Sequence, residues 1–177
     1  MRSLFYFFAA GYLATTLLTS GFGHAVQFRW FQSDLRSHKV LPPRSIWLAA
    51  ALITLLELAA GTAAVRALLF ERQGVGTLLV SFVLGLAFLA YVVKLLSAAV
   101  PPQSCGCSVI ESPLTPASVA PATGLILAAL LGLAVTLGGE RAGGAQEAAL
   151  GVAWGITLAG LTLLLPATMP EMHKVRR

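Results

Sequence analysis

The most reactive side chains of this 177-residue chain are its two cysteines, which stand two positions apart as Cys105-Gly106-Cys107. The segment around them, from Pro101 to Pro113, is rich in proline and serine and is predicted to be a loop. Because glycine has no Cβ, the backbone at Gly106 can fold back far enough for the thiols to close a small disulfide ring. Such a ring departs from relaxed disulfide geometry, and strained disulfides are more readily reduced. The pattern therefore favours a reversible dithiol, with metal binding or a structural pair as alternatives.

A soft metal ion is the alternative ligand for the two thiols. His24 and His38 are expected on the same side of the membrane as Cys105 and Cys107, and they could complete a metal site. The single residue between the cysteines is fewer than the two to four that zinc sites commonly have. A histidine at a membrane interface is also commonly a polar anchor, so this pattern is weaker than the redox one.

Two ionisable residues, Glu57 and Lys94, stand inside long apolar runs. A charge within the hydrocarbon layer is costly, so such residues are functional candidates that face the bundle interior with a partner. Helix rise places Glu57 about 18 Å and Lys94 about 9 Å below the surface that carries the cysteines, so a direct pair needs Lys94 to reach inward. Alternatively, Lys94 extends outward, and Glu57 stays protonated and bonded to a neighbouring serine or threonine.

The composition restricts the class of protein that can hold these residues. Hydrophobic residues make up 57% of the chain and charged residues only 11%, and the mean hydropathy is +0.82. Soluble domains carry about a quarter charged residues, and a small domain has proportionally more surface to cover with them. This argues against a soluble enzyme, a nucleic-acid-binding protein and a disordered chain. The net charge of +5 is scattered between apolar runs, where basic residues report topology and contacts with lipid head groups.

A helix needs about 20 apolar residues to cross a bilayer core. The sequence predicts five such spans: Leu4–Gly23, Ser45–Leu68, Val75–Ala98, Ala117–Leu137 and Ala148–Ala167. The first is longer than the apolar region of a signal peptide, so we expect it to be a retained helix. The expected fold is an all-α integral membrane bundle of five transmembrane helices, or four if the last run does not cross. Residues 1–177 are expected to form one domain.

Two further patterns concern how the helices are arranged. Between Ala25 and Arg44, apolar residues recur at helical spacing with cations between them, namely Phe28, Phe31 and Leu35 with Arg29, Arg36 and Lys39. This pattern predicts an amphipathic helix on the membrane surface, either as a structural collar or as a docking surface. Gly151 and Gly155 form a GxxxG stripe in the last span, which favours close helix packing within the bundle or a homo- or hetero-oligomer through that face.

The combined motifs resemble the MauE/DoxX-like family of redox-associated membrane proteins, MauE being the methylamine-utilisation membrane protein. The resemblance is carried by Phe28-Arg29 and Leu41-Pro42, by Glu57-Leu58-Ala59-Ala60-Gly61 and by Cys105-Gly106-Cys107. It implies a role beside thioredoxin-like proteins on the outer face of the membrane, where disulfides of exported proteins are formed or maintained. Some DoxX-like relatives are linked to quinone-coupled sulfur oxidation.

Basic residues are more numerous on the side that carries the cysteine loop, which by the positive-inside rule would place that loop in the cytoplasm. Persistent disulfides require the outside. If the last run does not cross, the basic tail moves to the other side of the membrane, and the charge count also favours cysteines outside. We favour a multi-pass protein of the inner (cytoplasmic) membrane with its cysteines outside.

The hypothesis for the mechanism is that Cys105 attacks the disulfide of a partner and Cys107 resolves the mixed disulfide, with Glu57 supplying or accepting protons. Two cysteines cannot form a relay of two pairs, so electrons must also pass between this pair and a quinone in the bundle or a second protein. A carrier for a soft metal ion and a non-catalytic assembly subunit of a membrane complex are the competing functions.

Overall fold

Five long apolar helices make up most of the protein in a computed structural model that describes residues 2–70, 74–97, 115–139 and 144–168. Across those ranges the chain is helical, with no strand. The helices are, in chain order, α1 (Arg2–Val26), α2 (Phe28–Ser37), α3 (Ile46–Phe70), α4 (Val75–Ser97), α5 (Ala120–Leu137) and α6 (Ala145–Thr168). Cys105, Gly106 and Cys107 lie outside the described residues.

All five predicted spans are helices, and each is long and apolar enough to cross a membrane. Short 3-10 turns that contain proline precede two of them, at Pro43–Ser45 before α3 and at Pro116–Val119 before α5. Proline is favoured in the first turn of a helix because the N–H it lacks would have no partner there. The all-α bundle predicted from hydropathy is therefore confirmed, in its five-helix form.

Helix α1 lies at the centre of the bundle, where it packs along α3, α5 and α6. Its side chains Tyr12, Leu13 and Leu17 are almost completely buried, together with small residues of the surrounding helices. The Tyr12 hydroxyl lies 3.0 Å from the Thr162 hydroxyl of α6, so this buried phenol is hydrogen bonded. The first span therefore supplies part of the core of the described bundle.

Gly151 and Gly155 let α6 approach α1 closely. A Cβ added at Gly151 would lie 2.6 Å from the Leu4 carbonyl oxygen, and one at Gly155 would lie 2.5 Å from the Phe8 carbonyl oxygen. Both distances are too short for a side chain, so the glycine stripe is used for packing within one chain. An oligomer formed through α6 stays a prediction, and it would need the other side of the helix, where Trp154 is exposed.

Replacing Gly155 with alanine is expected to destabilise the bundle by about 1–3 kcal/mol, because the added methyl group forces α6 away from α1. Thermal unfolding in detergent micelles measures this as a lower midpoint. Gly160→Ala in the same helix is the matched control, since a Cβ there would meet nothing within 4 Å. Equal midpoints for the two variants would contradict the close approach of α1 and α6.

The predicted amphipathic helix is α2, which folds back against the first turns of α3. Its apolar residues Phe31 and Leu35 are buried with Ile46 and Ala50 of α3. Its cations Arg29 and Arg36 are exposed. The helix therefore forms a cap over one end of the bundle, on the side from which the cysteine segment departs after α4.

Candidate functional site

The site begins where α1 and α3 run antiparallel at close range. Two glycines allow this approach: Gly21 of α1 faces Glu57 and Leu58, and Gly61 of α3 faces Leu18. These contacts bring the last two turns of α1 level with the middle of α3. Glu57 therefore meets side chains from α1 near the end of that helix.

Glu57 is held by two side chains of α1. Ser20 Oγ donates a hydrogen bond of 2.9 Å to Glu57 Oε1, and His24 Nδ1 lies 2.7 Å from Glu57 Oε2. The side chains of His24 and Glu57 are only 8% and 13% exposed. One proton is shared at this contact, with either an imidazole N–H donating to a carboxylate or a carboxylic acid donating to the imidazole. We refer to Ser20, His24 and Glu57 together as the carboxyl cluster.

The cap helix α2 fixes the orientation of the imidazole. The rings of His24 and Phe31 are stacked, with centroids 3.8 Å apart and planes 9° from parallel. Because Phe31 is itself buried against α3, the His24 ring is held between α2 and α3. The orientation needed for proton transfer to or from Glu57 is thus fixed by packing as well as by the hydrogen bond.

The carboxyl cluster borders an apolar cavity of about 300 Å³ that is open on one side. All six helices contribute to its walls, and aromatic rings come from Phe31, Phe88 and Tyr91. A concave, mainly apolar site with a few polar groups is the usual form of a binding site for a small molecule. This cavity therefore marks the candidate site of the described bundle.

A second histidine contact lies at the border of the same cavity. His38, at the end of α2, places its Nδ1 2.5 Å from the hydroxyl of Tyr91, a residue that lines the cavity. His38 is 6% exposed. This contact holds the end of α2 against α4, two turns before α4 ends at Ser97. The cap is thus fixed by one histidine at each end.

The structure places the predicted site residues in different surroundings. Glu57 is bonded to a serine, as one of its two interpretations predicts, and Lys94 is exposed on α4 rather than paired with Glu57. Cys105 and Cys107 lie outside the described residues. His24 was not predicted as the partner of Glu57, although a histidine and a glutamate in neighbouring apolar spans are a signal for such a pair.

His24 and His38 are predicted metal ligands in the alternative interpretation. Each contacts another side chain here, Glu57 and Tyr91 respectively. Among the residues that the structure describes, no group of three histidine, cysteine or acidic side chains is placed to hold a metal ion. The chemistry that the described site supports is the binding of a small apolar molecule and the exchange of protons at its carboxyl cluster.

The model of the family described as methylamine utilisation protein MauE matches residues 2–136. This range contains α1 to α4, nearly all of α5 and the cysteine segment. No curated protein matches the chain, and no solved structure does.

Proposed function

Because the chain belongs to the MauE family of membrane proteins, we propose that it is a membrane-embedded thiol–disulfide redox protein. In this proposal Cys105 and Cys107 exchange electrons with a thioredoxin-like partner or an exported protein at the membrane surface. The observation that carries the proposal is the cavity with its carboxyl cluster. Its lining includes residues near the end of α4 and the start of α5, the two helices that flank the cysteine segment in the chain.

The exchange balances as two displacement steps. The Cys105 thiolate attacks one sulfur of the partner's disulfide and releases the other as a thiolate. The Cys107 thiolate then attacks Cys105 in the mixed disulfide, which frees the partner with two reduced sulfurs and leaves a Cys105–Cys107 disulfide. Restoring the dithiol takes two electrons and two protons from a quinol or from a second protein. The reverse sequence oxidises the partner's dithiol and passes its two electrons through Cys105 and Cys107 to a quinone or to a second protein.

The carboxyl cluster supports this cycle by handling protons. Each turnover moves two protons as well as two electrons, and the apolar bundle offers few groups that could exchange them. Glu57 shares a proton with His24 at 2.7 Å, so the pair can gain or lose a proton without a large movement. Positioned acid–base groups of this kind typically contribute about a hundredfold or more to the rate of a proton-coupled step.

We assign the protein to the inner (cytoplasmic) membrane, with the cysteine segment facing outside. One end of the bundle carries the end of α1, helix α2, the start of α3 and the end of α4. The cysteine segment follows α4 in the chain, so we expect it at this end. Disulfides persist in oxidising compartments, and the thiols need access to exported proteins there. Sidedness is thus the first property to test.

The test is labelling with a membrane-impermeant maleimide, on intact and on lysed cells, each with and without prior reduction. The expected result is labelling of intact cells only after reduction, which means an outward-facing disulfide. The chain has only two cysteines, so the label reports this pair alone. Labelling only after lysis and without reductant would mean cytoplasmic free thiols, and would overturn the proposal in favour of a metal carrier or an assembly subunit.

A further inference from the structure

We propose that the cavity binds the ring of a lipid-soluble para-quinone or its quinol, with one ring oxygen at the carboxyl cluster and the other at Tyr91. The redox role of this ligand rests on the proposed function, but its binding does not. The electron carrier of the membrane then binds within the chain. The carboxyl cluster is the first polar end of its site, and Tyr91 with His38 is the second.

The two polar ends border the same cavity, so one ligand can contact both. Ser20, His24 and Glu57 line it from α1 and α3, and Tyr91 lines it from α4. A six-membered ring with two para oxygens can form a hydrogen bond at each end.

The walls between the two ends suit a flat apolar ring. Phe31 and Phe88 line the cavity, and aliphatic side chains such as Leu84 and Ile53 make up much of the remainder. Aromatic side chains pack with other flat rings in offset-stacked or edge-on arrangements. Besides the two polar ends, Thr16 and Asp34 are the other polar side chains in the lining. A strongly hydrated ligand would therefore find few polar partners here.

In this proposal the ligand reaches the lipid between α3 and α4. Helix α4 packs mainly against α5 rather than against α3. Ala49 of α3 and Ala87 of α4 line the cavity, and Ala87 is exposed. Small side chains at this position leave room for a hydrocarbon tail to extend from the ring into the bilayer.

The overall reaction balances in both directions. A quinol gives up two electrons and the protons of its two hydroxyl groups, and the Cys105–Cys107 disulfide takes up two electrons and two protons to become two thiols. In the cavity, the carboxyl cluster accepts or donates the proton at one ring oxygen. The Tyr91 hydroxyl, in contact with His38 Nδ1, does so at the other.

Binding is tested with a decyl-substituted benzoquinone as the probe and the Cys105→Ser/Cys107→Ser protein in lipid nanodiscs. Using this double variant removes thiol chemistry, so binding and the proposed function can fail separately. The expected result is saturable binding of one quinone per chain, measured by titration calorimetry. Tyr91→Phe should weaken the affinity about tenfold, which corresponds to one lost hydrogen bond. Val93→Ala, at an exposed position of α4, should leave it unchanged.

Two further measurements decide between a quinone and a lipid tail. Ala87→Trp is expected to weaken binding of the decyl-substituted quinone more than binding of a tail-less quinone, because the tail passes between α3 and α4 where this side chain lies. Decanol, which has the tail but no ring, should not compete. No saturable binding, equal competition by decanol, or unchanged affinity in a folded Tyr91→Phe protein would each overturn the proposal.

Discussion

Replacing Cys107 with serine is expected to leave Cys105 covalently joined to the redox partner and to stop turnover. Without the second thiolate, the mixed disulfide formed by Cys105 has no internal group to resolve it. The adduct would appear on a non-reducing gel as a band of higher mass that disappears on reduction. Mass spectrometry of that band would identify the partner.

The matched variants separate the roles of the two thiols. Cys105→Ser should lose turnover without forming the adduct, because the attacking sulfur is absent. Ser108→Ala, next to the pair in the chain, should keep both turnover and the normal band pattern. Turnover at the level of the unchanged protein in both single cysteine variants would disprove the thiol–disulfide mechanism.

Replacing Glu57 with alanine is expected to lower both stability and turnover. His24 and Ser20 would be left in the bundle without the oxygen atoms that now bind them. Leaving buried polar groups without partners typically costs about 3 kcal/mol, and the value rises if the lost pair is ionic. Unfolding in mixed micelles with increasing dodecyl sulfate would measure this loss. Thr62→Ala is the control, because the Thr62 hydroxyl is exposed on α3 and bonds only to the backbone of its own helix.

Glu57→Gln separates the stabilising role of this residue from its role in proton exchange. The amide has nearly the shape of the carboxyl group and can still hydrogen bond to Ser20 and His24, so most of the stability should remain. The amide cannot gain or lose a proton near neutral pH, so turnover should fall about a hundredfold. Full turnover in a stable Glu57→Gln protein would show that Glu57 is only a structural anchor.

The long helices were predictable because the bilayer imposes one strong rule, that about 20 successive residues must be apolar. Val75–Ala98 was predicted for the third span, and α4 covers Val75–Ser97. The amphipathic α2 was predictable for the same reason, since its apolar side has to face away from water. In both cases the lipid or the water in contact with a position determines whether an apolar or a polar residue is favoured there. The pattern of apolar residues along the chain is therefore enough to predict the helix.

The contact between His24 and Glu57 was not predictable in this way, because it depends on how far α3 is shifted along α1. From the sequence, His24 stands at the end of its span and Glu57 near the middle of the next one, which suggests different depths. In the structure α3 begins about 10 Å beyond the end of α1, as the facing contacts at Gly21 and Gly61 show. No hydropathy pattern encodes this shift, which is set by where the small residues allow the helices to meet.

The central position of α1 has a consequence for how the protein is made. Its span is less apolar than that of α4, and a larger share of it is buried inside the protein. Hydroxyls and an imidazole are acceptable in α1 because other helices, rather than lipid, surround them. Those helices come later in the chain, so during synthesis the lipid alone holds α1 less well than it holds α4. We therefore expect stable insertion of α1 to be completed only when α3 and finally α6 have been synthesised and packed against it.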